Sequence, residues 1–226
     1  IILLNGRITK KTFLRWKLLP SFTKTIFSKF NLCFTSNNES KNYLKKLGAK
    51  NIKFIGNLKF SQSEKEQIKI SKKLKKFLNA KKTWCASSTH YNEEKFCGLV
   101  HKELKKKYNK LITIIIPRHI NRVSSIETEL KKLNLIVHKY SSTQGIKKQT
   151  DVLIIDSYGK TKSFYHSCKN VFLGGSVVFH GGQNPLEATR YGCNILHGPN
   201  VSNFTEIYNY LKKNKISTQR SEEHTS

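Results

Sequence analysis

A chain of 226 residues, 37% of them hydrophobic, can bury a core of one large domain or one and a half smaller ones, and no apolar run approaches the roughly 20 residues of a membrane span. Its formal net charge of +28, from 42 basic against 14 acidic residues, favours polyanions such as nucleic acid or an anionic membrane surface. The five cysteines are odd in number and form no C-x-x-C pair, which argues against a disulfide framework or a zinc site and for reduced, mostly buried thiols in a cytosolic protein.

The chain begins without Met and shows no signal peptide, so it reads as a piece of a longer protein. Residues 1–4 form an apolar strand closed by the turn signal Asn5-Gly6. Thr9 is placed to cap a segment with apolar residues at helical intervals up to Phe30. A short strand follows at 32–35, a helix start at Ser36-Asn37-Asn38-Glu39, a helix stop at Gly48, and another strand at 52–55 closed by Gly56-Asn57. This β-α-β-α-β succession predicts parallel pairing. Residues 61–82 are polar and lysine-rich, with a helical period at Ile68, Leu74, Phe77 and Leu78, and a domain junction is expected near their start. Beyond it the expected strands are 83–86, 111–116, 135–138, 152–155, 170–173 and 194–196. The expected helices are 93–107, 122–133, 161–167, 185–191 and 203–211. Short β-branched runs alternating with helices predict an α/β, doubly wound, Rossmann-like domain, whose ligands bind beyond the carboxyl ends of the strands. Residues 220–226 break from this pattern and look like a translated sequencing adapter, so a non-native tail is expected there.

The strand ends carry the polar residues of interest. Ser87-Ser88-Thr89-His90 followed by Glu93-Glu94 reads either as an anion site or as a capping box with Ser88 or Thr89 as cap. Pro117-Arg118-His119 follows a buried strand, where Arg118 either grips a phosphate or carboxylate or forms a surface salt bridge. In Asp156-Ser157-Tyr158-Gly159-Lys160, Gly159 permits close backbone approach and Tyr158 could stack on a base, against the alternative of a plain turn. Gly174-Gly175-Ser176 and Gly181-Gly182 are two glycine stretches whose backbone N–H groups could crowd a phosphate. Asn184-Pro185-Leu186-Glu187 opens a helix with Pro at or near its first position. Glu187 could accept both hydroxyls of a ribose, although the helix dipole alone favours a first-turn Glu. Ser176 as a nucleophile is the runner-up, without a G-x-S-x-G context or an acid–base partner, and no G-K-[ST] follows these glycines, which excludes a P-loop there.

Taken in order, Asn5-Gly6-Arg7-Ile8-Thr9, Gly56-Asn57-Leu58-Lys59-Phe60, Trp84-Cys85-Ala86-Ser87-Ser88-Thr89-His90, Pro117-Arg118-His119, Gly174-Gly175-Ser176, Gly181-Gly182-Gln183-Asn184-Pro185-Leu186-Glu187 and Gly198-Pro199 resemble the 3-deoxy-D-manno-octulosonic acid (Kdo) transferases of lipopolysaccharide synthesis. The resemblance runs from the first residues to about Leu211. It implies an α/β fold of GT-B type, with residues 1–60 the end of an N-terminal acceptor domain and 61–219 a C-terminal donor domain. It implies transfer of Kdo from CMP-Kdo to a lipid A precursor at the cytoplasmic face of the inner membrane. An anionic membrane surface is then a partner, nucleic acid is not, and no metal or other cofactor takes part. By motif, Pro117 and Arg118 hold the donor's anionic groups. Tyr158, Gly159 and Lys160 form a second donor contact, and Asn184, Pro185, Leu186 and Glu187 a third. The catalytic base is implied to be a carboxylate ahead of these residues. Departures from the pattern are Lys160 for a usual Glu, Gln183 for a usual His, Ile120 for a usual Pro and Ser61 for a usual acidic residue. Two other readings stay open: another GT-B enzyme using a UDP-sugar, and a non-enzymatic lipid- or nucleic-acid-binding module resting on charge alone. An AT-rich composition led by Lys, Asn and Ile explains that charge without binding, and no nucleic-acid module is recognisable.

Overall fold

The computed structural model describes residues 1–56, 70–142 and 145–220. The chain divides into two compact units, Ile1–Lys65 and Glu66–Ser226. The motif residues Asn57 to Phe60, Ser61, the helical position Ile68 and residues 221–226 of the expected tail lie outside the described residues.

The first unit is a three-stranded parallel sheet in the order β1 (Ile2–Gly6), β2 (Leu32–Thr35) and β3 (Ile52–Phe54). Thr9 caps the first helix through its hydroxyl, which accepts the Thr12 N–H. The single helix expected up to Phe30 is two, α1 (Lys10–Lys17) and α2 (Pro20–Ser28). Pro20 has no N–H to give and pushes Leu19 out of helical geometry, to φ −125° and ψ 68°, so the chain restarts with Pro at the first helical position. Asn37 caps α3 (Asn38–Lys46) by accepting the Ser40 N–H at 2.7 Å, and Gly48 follows it in the left-handed region at φ +104°. Phe13, Phe27, Cys33, Leu44 and Leu47 fill the core under the sheet.

The second unit carries the strands β4 (Lys82–Thr89), β5 (Leu111–Pro117), β6 (Val137–Lys139), β7 (Val152–Ile154), β8 (Asn170–Leu173), β9 (Asn194–His197) and β10 (Ser217–Gln219). All pair in parallel, in the order β10-β9-β8-β4-β5-β7-β6. Every residue of β5 is buried, as a strand covered on both faces requires. Ile112, Ile114 and Ile116 pack on one face with Leu153, Ile155 and Phe164. Leu111 and Ile115 pack on the other with Ile126, Leu130, Val152 and Ile154. The connecting helices are α4 (Lys72–Asn79), α5 (Glu93–Lys107), α6 (Val123–Lys132), α7 (Thr161–Tyr165), α8 (Leu186–Arg190) and α9 (Thr205–Lys213). The α/β class with parallel sheets is therefore as read from the sequence. Strand β10 was not anticipated: it is a short, mostly exposed edge segment, and its ladder continues as Arg220 donates its N–H to His197 O at 2.7 Å.

One buried polar group ties the β5–β7 region together. The Asp151 carboxylate accepts the Ile136 N–H at 2.9 Å and the Lys105 ammonium, and lies 3.5 Å from Nε2 of the fully buried His101. The other ring nitrogen of His101 bonds Thr113 Oγ1 at 2.8 Å. Burial alone would raise the Asp151 pKa, but the nearby His101 ring and the bonds from Lys105 and Ile136 outweigh it and hold the group well below the ordinary carboxylate range. A depressed carboxylate contributes stability that is present above its unfolded value and lost as pH falls towards the folded value. Asp151→Asn is therefore expected to cost about 2 kcal/mol at neutral pH, below the roughly 3–5 kcal/mol of a fully buried pair because Lys105 is half-exposed. Urea melts should show that difference shrinking below about pH 4. A difference unchanged by pH would refute the assignment.

Candidate functional site

Leaving β4, the chain builds outward to β5 and β7 on one side, then crosses to β8, β9 and β10 on the other. The switch point lies between β4 and β8, so the crevice where such a sheet takes ligands is framed by their carboxyl ends. The loops bearing Gly174, His90, Arg118 and Tyr158 follow β8, β4, β5 and β7, four neighbouring strands. The β4 and β5 ends are joined by the Arg118 N–H donating to Thr89 O at 3.0 Å.

Neither Ser88 nor Thr89 caps α5, which corrects one of the two readings of that turn. The cap position is Asn92, in the left-handed region at φ 72°, with no side-chain cap bond. Glu93, 1% exposed, turns back and across instead. Its carboxylate accepts the N–H groups of His90 (2.9 Å), Gly175 (2.7 Å), Ser176 (3.1 Å) and Val177 (3.1 Å). The nest after β8, expected to receive a phosphate, is thus filled by the protein's own anion. Ser176 is fully buried, its hydroxyl donating to Leu173 O and accepting the Gly198 N–H at 2.9 Å, so it is a strut and not a nucleophile. Glu94, also fully buried, takes Arg122 in a two-pronged pair with both bonds at 3.0 Å.

Arg118 is exposed, and among the described residues its guanidinium makes no ion pair; the surface salt bridge weighed for it is absent there. Pro117 is the buried last residue of β5. Beside them the His90 ring stacks on His180 at 4.1 Å and 25°, and His119 stands edge-on to it at 6.1 Å. The Gln183 amide donates to His90 Nε2 at 3.2 Å. Burial, then His180, lower the His90 pKa; Glu93 opposes them, and His119 and Arg118 add to the depression.

The loop running on to α8 is pinned from several sides. Gly182 donates to Gly175 O at 2.7 Å, the Asn203 side chain to His180 O at 2.9 Å, and the Tyr208 hydroxyl to Gln183 O at 2.9 Å. Asn184 Oδ1 accepts the Leu186 N–H at 3.1 Å, and Pro185 occupies the cap of α8. The Leu186 side chain is in the core with Ile207 and Leu211. Glu187, in the first turn and half-buried, makes no hydrogen bond or ion pair among the described residues. Tyr158 is 69% exposed, Gly159 sits at φ +75° with open space around it, and Lys160 is half-buried at the cap of α7. No hydrogen bond among the described residues links these three to the histidine group.

Residues 1–62 match the family model described as 3-deoxy-D-manno-octulosonic-acid transferase (kdotransferase). Over 93% of the chain the sequence is 27% identical to the 3-deoxy-D-manno-octulosonic acid transferase of Haemophilus influenzae, and over 97% it is 29% identical to that of Rickettsia felis. The chain is similar to the Kdo transferases along nearly its whole length. It spans 50% and 47% of those two relatives, and 35% of a bifunctional glycosyltransferase/methyltransferase of Fusobacterium nucleatum that is 31% identical over 97% of this chain. The solved C-terminal CMP-Kdo binding domain of WaaA from Acinetobacter baumannii superposes with a TM-score of 0.59 at 28% identity, covering 64% of this chain and 75% of that one. A putative UDP-N-acetylglucosamine 2-epimerase from Listeria monocytogenes, at 12% identity and a TM-score of 0.53, shares the fold alone. The similarity to Kdo transferases did not make legible what Glu93 and Arg122 do. Their signal was the acidic pair after His90, which reads equally well as helix capping.

Proposed function

We propose that the second unit is the donor-binding domain of a glycosyltransferase that moves Kdo from CMP-Kdo to a lipid A precursor. The observation that carries the reading is the exposed Arg118 beside the β4–β8 crevice, without an ion pair among the described residues, in a unit similar to a CMP-Kdo binding domain. Breaking the sugar–phosphate bond leaves an anionic CMP, and fixed positive charge beside it lowers that barrier. Pro117 stiffens the approach of Arg118, which holds the donor's anionic groups. Tyr158, Gly159 and Lys160 supply an exposed ring and an open backbone at the next strand end. Asn184, Pro185 and Leu186 form the backbone turn that presents Glu187, whose carboxylate accepts ribose hydroxyls. No residue of this chain is assigned as the base that deprotonates the acceptor.

The acceptor and the membrane belong to the same proposal. In the first unit, Leu14, Leu18, Leu19 and Phe22 are exposed among Lys10, Lys11, Arg15 and Lys17, a surface suited to anionic lipid at the cytoplasmic face of an inner membrane. No helix among the described residues is long and apolar enough to cross a membrane.

Arg118→Ala is expected to weaken CMP binding by about 1.5–3 kcal/mol, or roughly 10- to 150-fold, the scale of a charged hydrogen bond. Calorimetric titration of CMP, with UDP as competitor, measures it. Saturable binding indifferent to Arg118, or UDP displacing CMP at equal concentration, would overturn the donor assignment.

A further inference from the structure

We propose that His90 and His180, flanked by His119 and Arg118, form a proton-linked oxyanion subsite: an anionic group of the donor binds there together with a proton taken up by the stacked imidazoles. The inference rests on the nucleotide-sugar reading above and says where one of that ligand's charges goes. CMP-Kdo carries two oxyanions, a phosphodiester and a sugar carboxylate. The backbone nest at the switch point cannot serve either, because Glu93 already fills it with bonds to Gly175, Ser176 and Val177. Beside it stand Arg118, His90, His119 and His180, a guanidinium and three imidazoles.

The geometry makes protonation and anion binding depend on each other. The ring pair is packed close, 4.1 Å between centroids, and lies directly on Gly175, where an added Cβ would come within 3.3 Å of the His90 ring and of His180 Cβ. The groups facing His90 are His180 from the loop after β8, Arg118 and His119 from the end of β5, and Glu93 from α5. Glu93 is the one anion in that set, and its charge is spread over four backbone donors. Without a ligand a second positive charge is disfavoured, and the Gln183 amide holds His90 Nε2 as an acceptor, in the neutral state. An oxyanion between His90 and Arg118 reverses the balance and raises the histidine pKa in the complex.

The sign follows from linkage. A group whose pKa is higher in the complex than in the free protein strengthens binding as pH falls, by up to tenfold per pH unit between the two values, and the gain is lost as pH rises through the higher one. The test is calorimetry of the chain between about pH 5.5 and about pH 8, in buffers of different ionisation enthalpy, which counts protons taken up. Two probes separate the two oxyanions. CMP methyl ester carries a phosphodiester that does not titrate in this range, and CMP-N-acetylneuraminic acid adds a sugar carboxylate.

Uptake approaching one proton with both probes places the phosphodiester on the histidines, and uptake with the second probe alone places the carboxylate there. His90→Gln should flatten the pH profile while leaving measurable affinity. His180→Gln, at an exposed position, should do the same without risk to the fold. Binding of both probes with no proton uptake and a flat profile would overturn the subsite and leave the nucleotide-sugar reading intact. Failure of both probes to bind at any pH would remove that reading, and the subsite with it.

Discussion

Glu93→Ala is expected to lower the melting temperature by roughly 8–16 °C and to abolish nucleotide binding. The carboxylate is the sole acceptor among the described residues for four backbone N–H groups, and the bonds from Gly175 and Ser176 are fully buried. A buried donor left without a partner costs about 1–3 kcal/mol, and the two partly buried donors of His90 and Val177 recover some of theirs from water. The sum is about 4 kcal/mol, and each kcal/mol moves the midpoint of a chain this size by about 2–4 °C. Glu93→Gln tests the mechanism more sharply. It keeps the side-chain volume but offers one acceptor oxygen and turns N–H donors towards N–H donors, so it should be nearly as damaging as alanine. A Gln variant as stable as the parent protein would show that the carboxylate merely fills space. The functional loss comes from the same bonds, since Glu93 holds both the His90 turn and the glycine turn that frame the crevice.

Much of the fold was legible because its signals are local. The helix at Glu93–Lys107 stands at the bounds its pattern indicated, and Leu111–Pro117 was recognisable as a strand buried on both faces from its unbroken β-branched run. The break between α1 and α2 was written in Pro20 but was masked by apolar spacing that continues through it. Strand β10 has no such pattern: Ser217, Thr218 and Gln219 become a strand only because β9 offers them an edge. At the candidate site the order of strand-end residues was visible, and the destinations of its buried charges were not. A first-turn carboxylate satisfies its own helix or a loop 82 residues away with the same residue type, and only the three-dimensional approach of β8 to β4 decides which. The same holds for Arg118 and Arg122. The sequence singles out the one after a buried strand, yet the two-pronged pair belongs to the other, because Glu94 projects from the facing end of α5.

The approach of β8 to β4 also predicts which glycine of the crevice tolerates substitution least. A Cβ on Gly174 would lie 2.4 Å from Ser88 O, 2.6 Å from Thr89 Cα and 2.7 Å from Glu93 Oε2. Two of those atoms are backbone of the neighbouring strand end, and the third belongs to a carboxylate fixed by four donors, so none can step aside cheaply. Gly174 itself donates to Ser87 O at 2.9 Å, which holds the two chains at that separation. Gly174→Ala is therefore expected to cost about 3 kcal/mol, the upper end for overpacking, and to weaken nucleotide binding through displacement of the Glu93 nest. Gly159→Ala provides the contrast. Its φ of +75° strains any side chain, but nothing lies within 4 Å, so the cost should be about 1 kcal/mol and confined to its own turn. Thermal melts of the two variants separate steric closure from backbone strain. If Gly174→Ala melts within a degree or two of the parent, or no lower than Gly159→Ala, the β4 and β8 ends are not held as closely as their hydrogen bonds indicate, and the crevice has room for a methyl group.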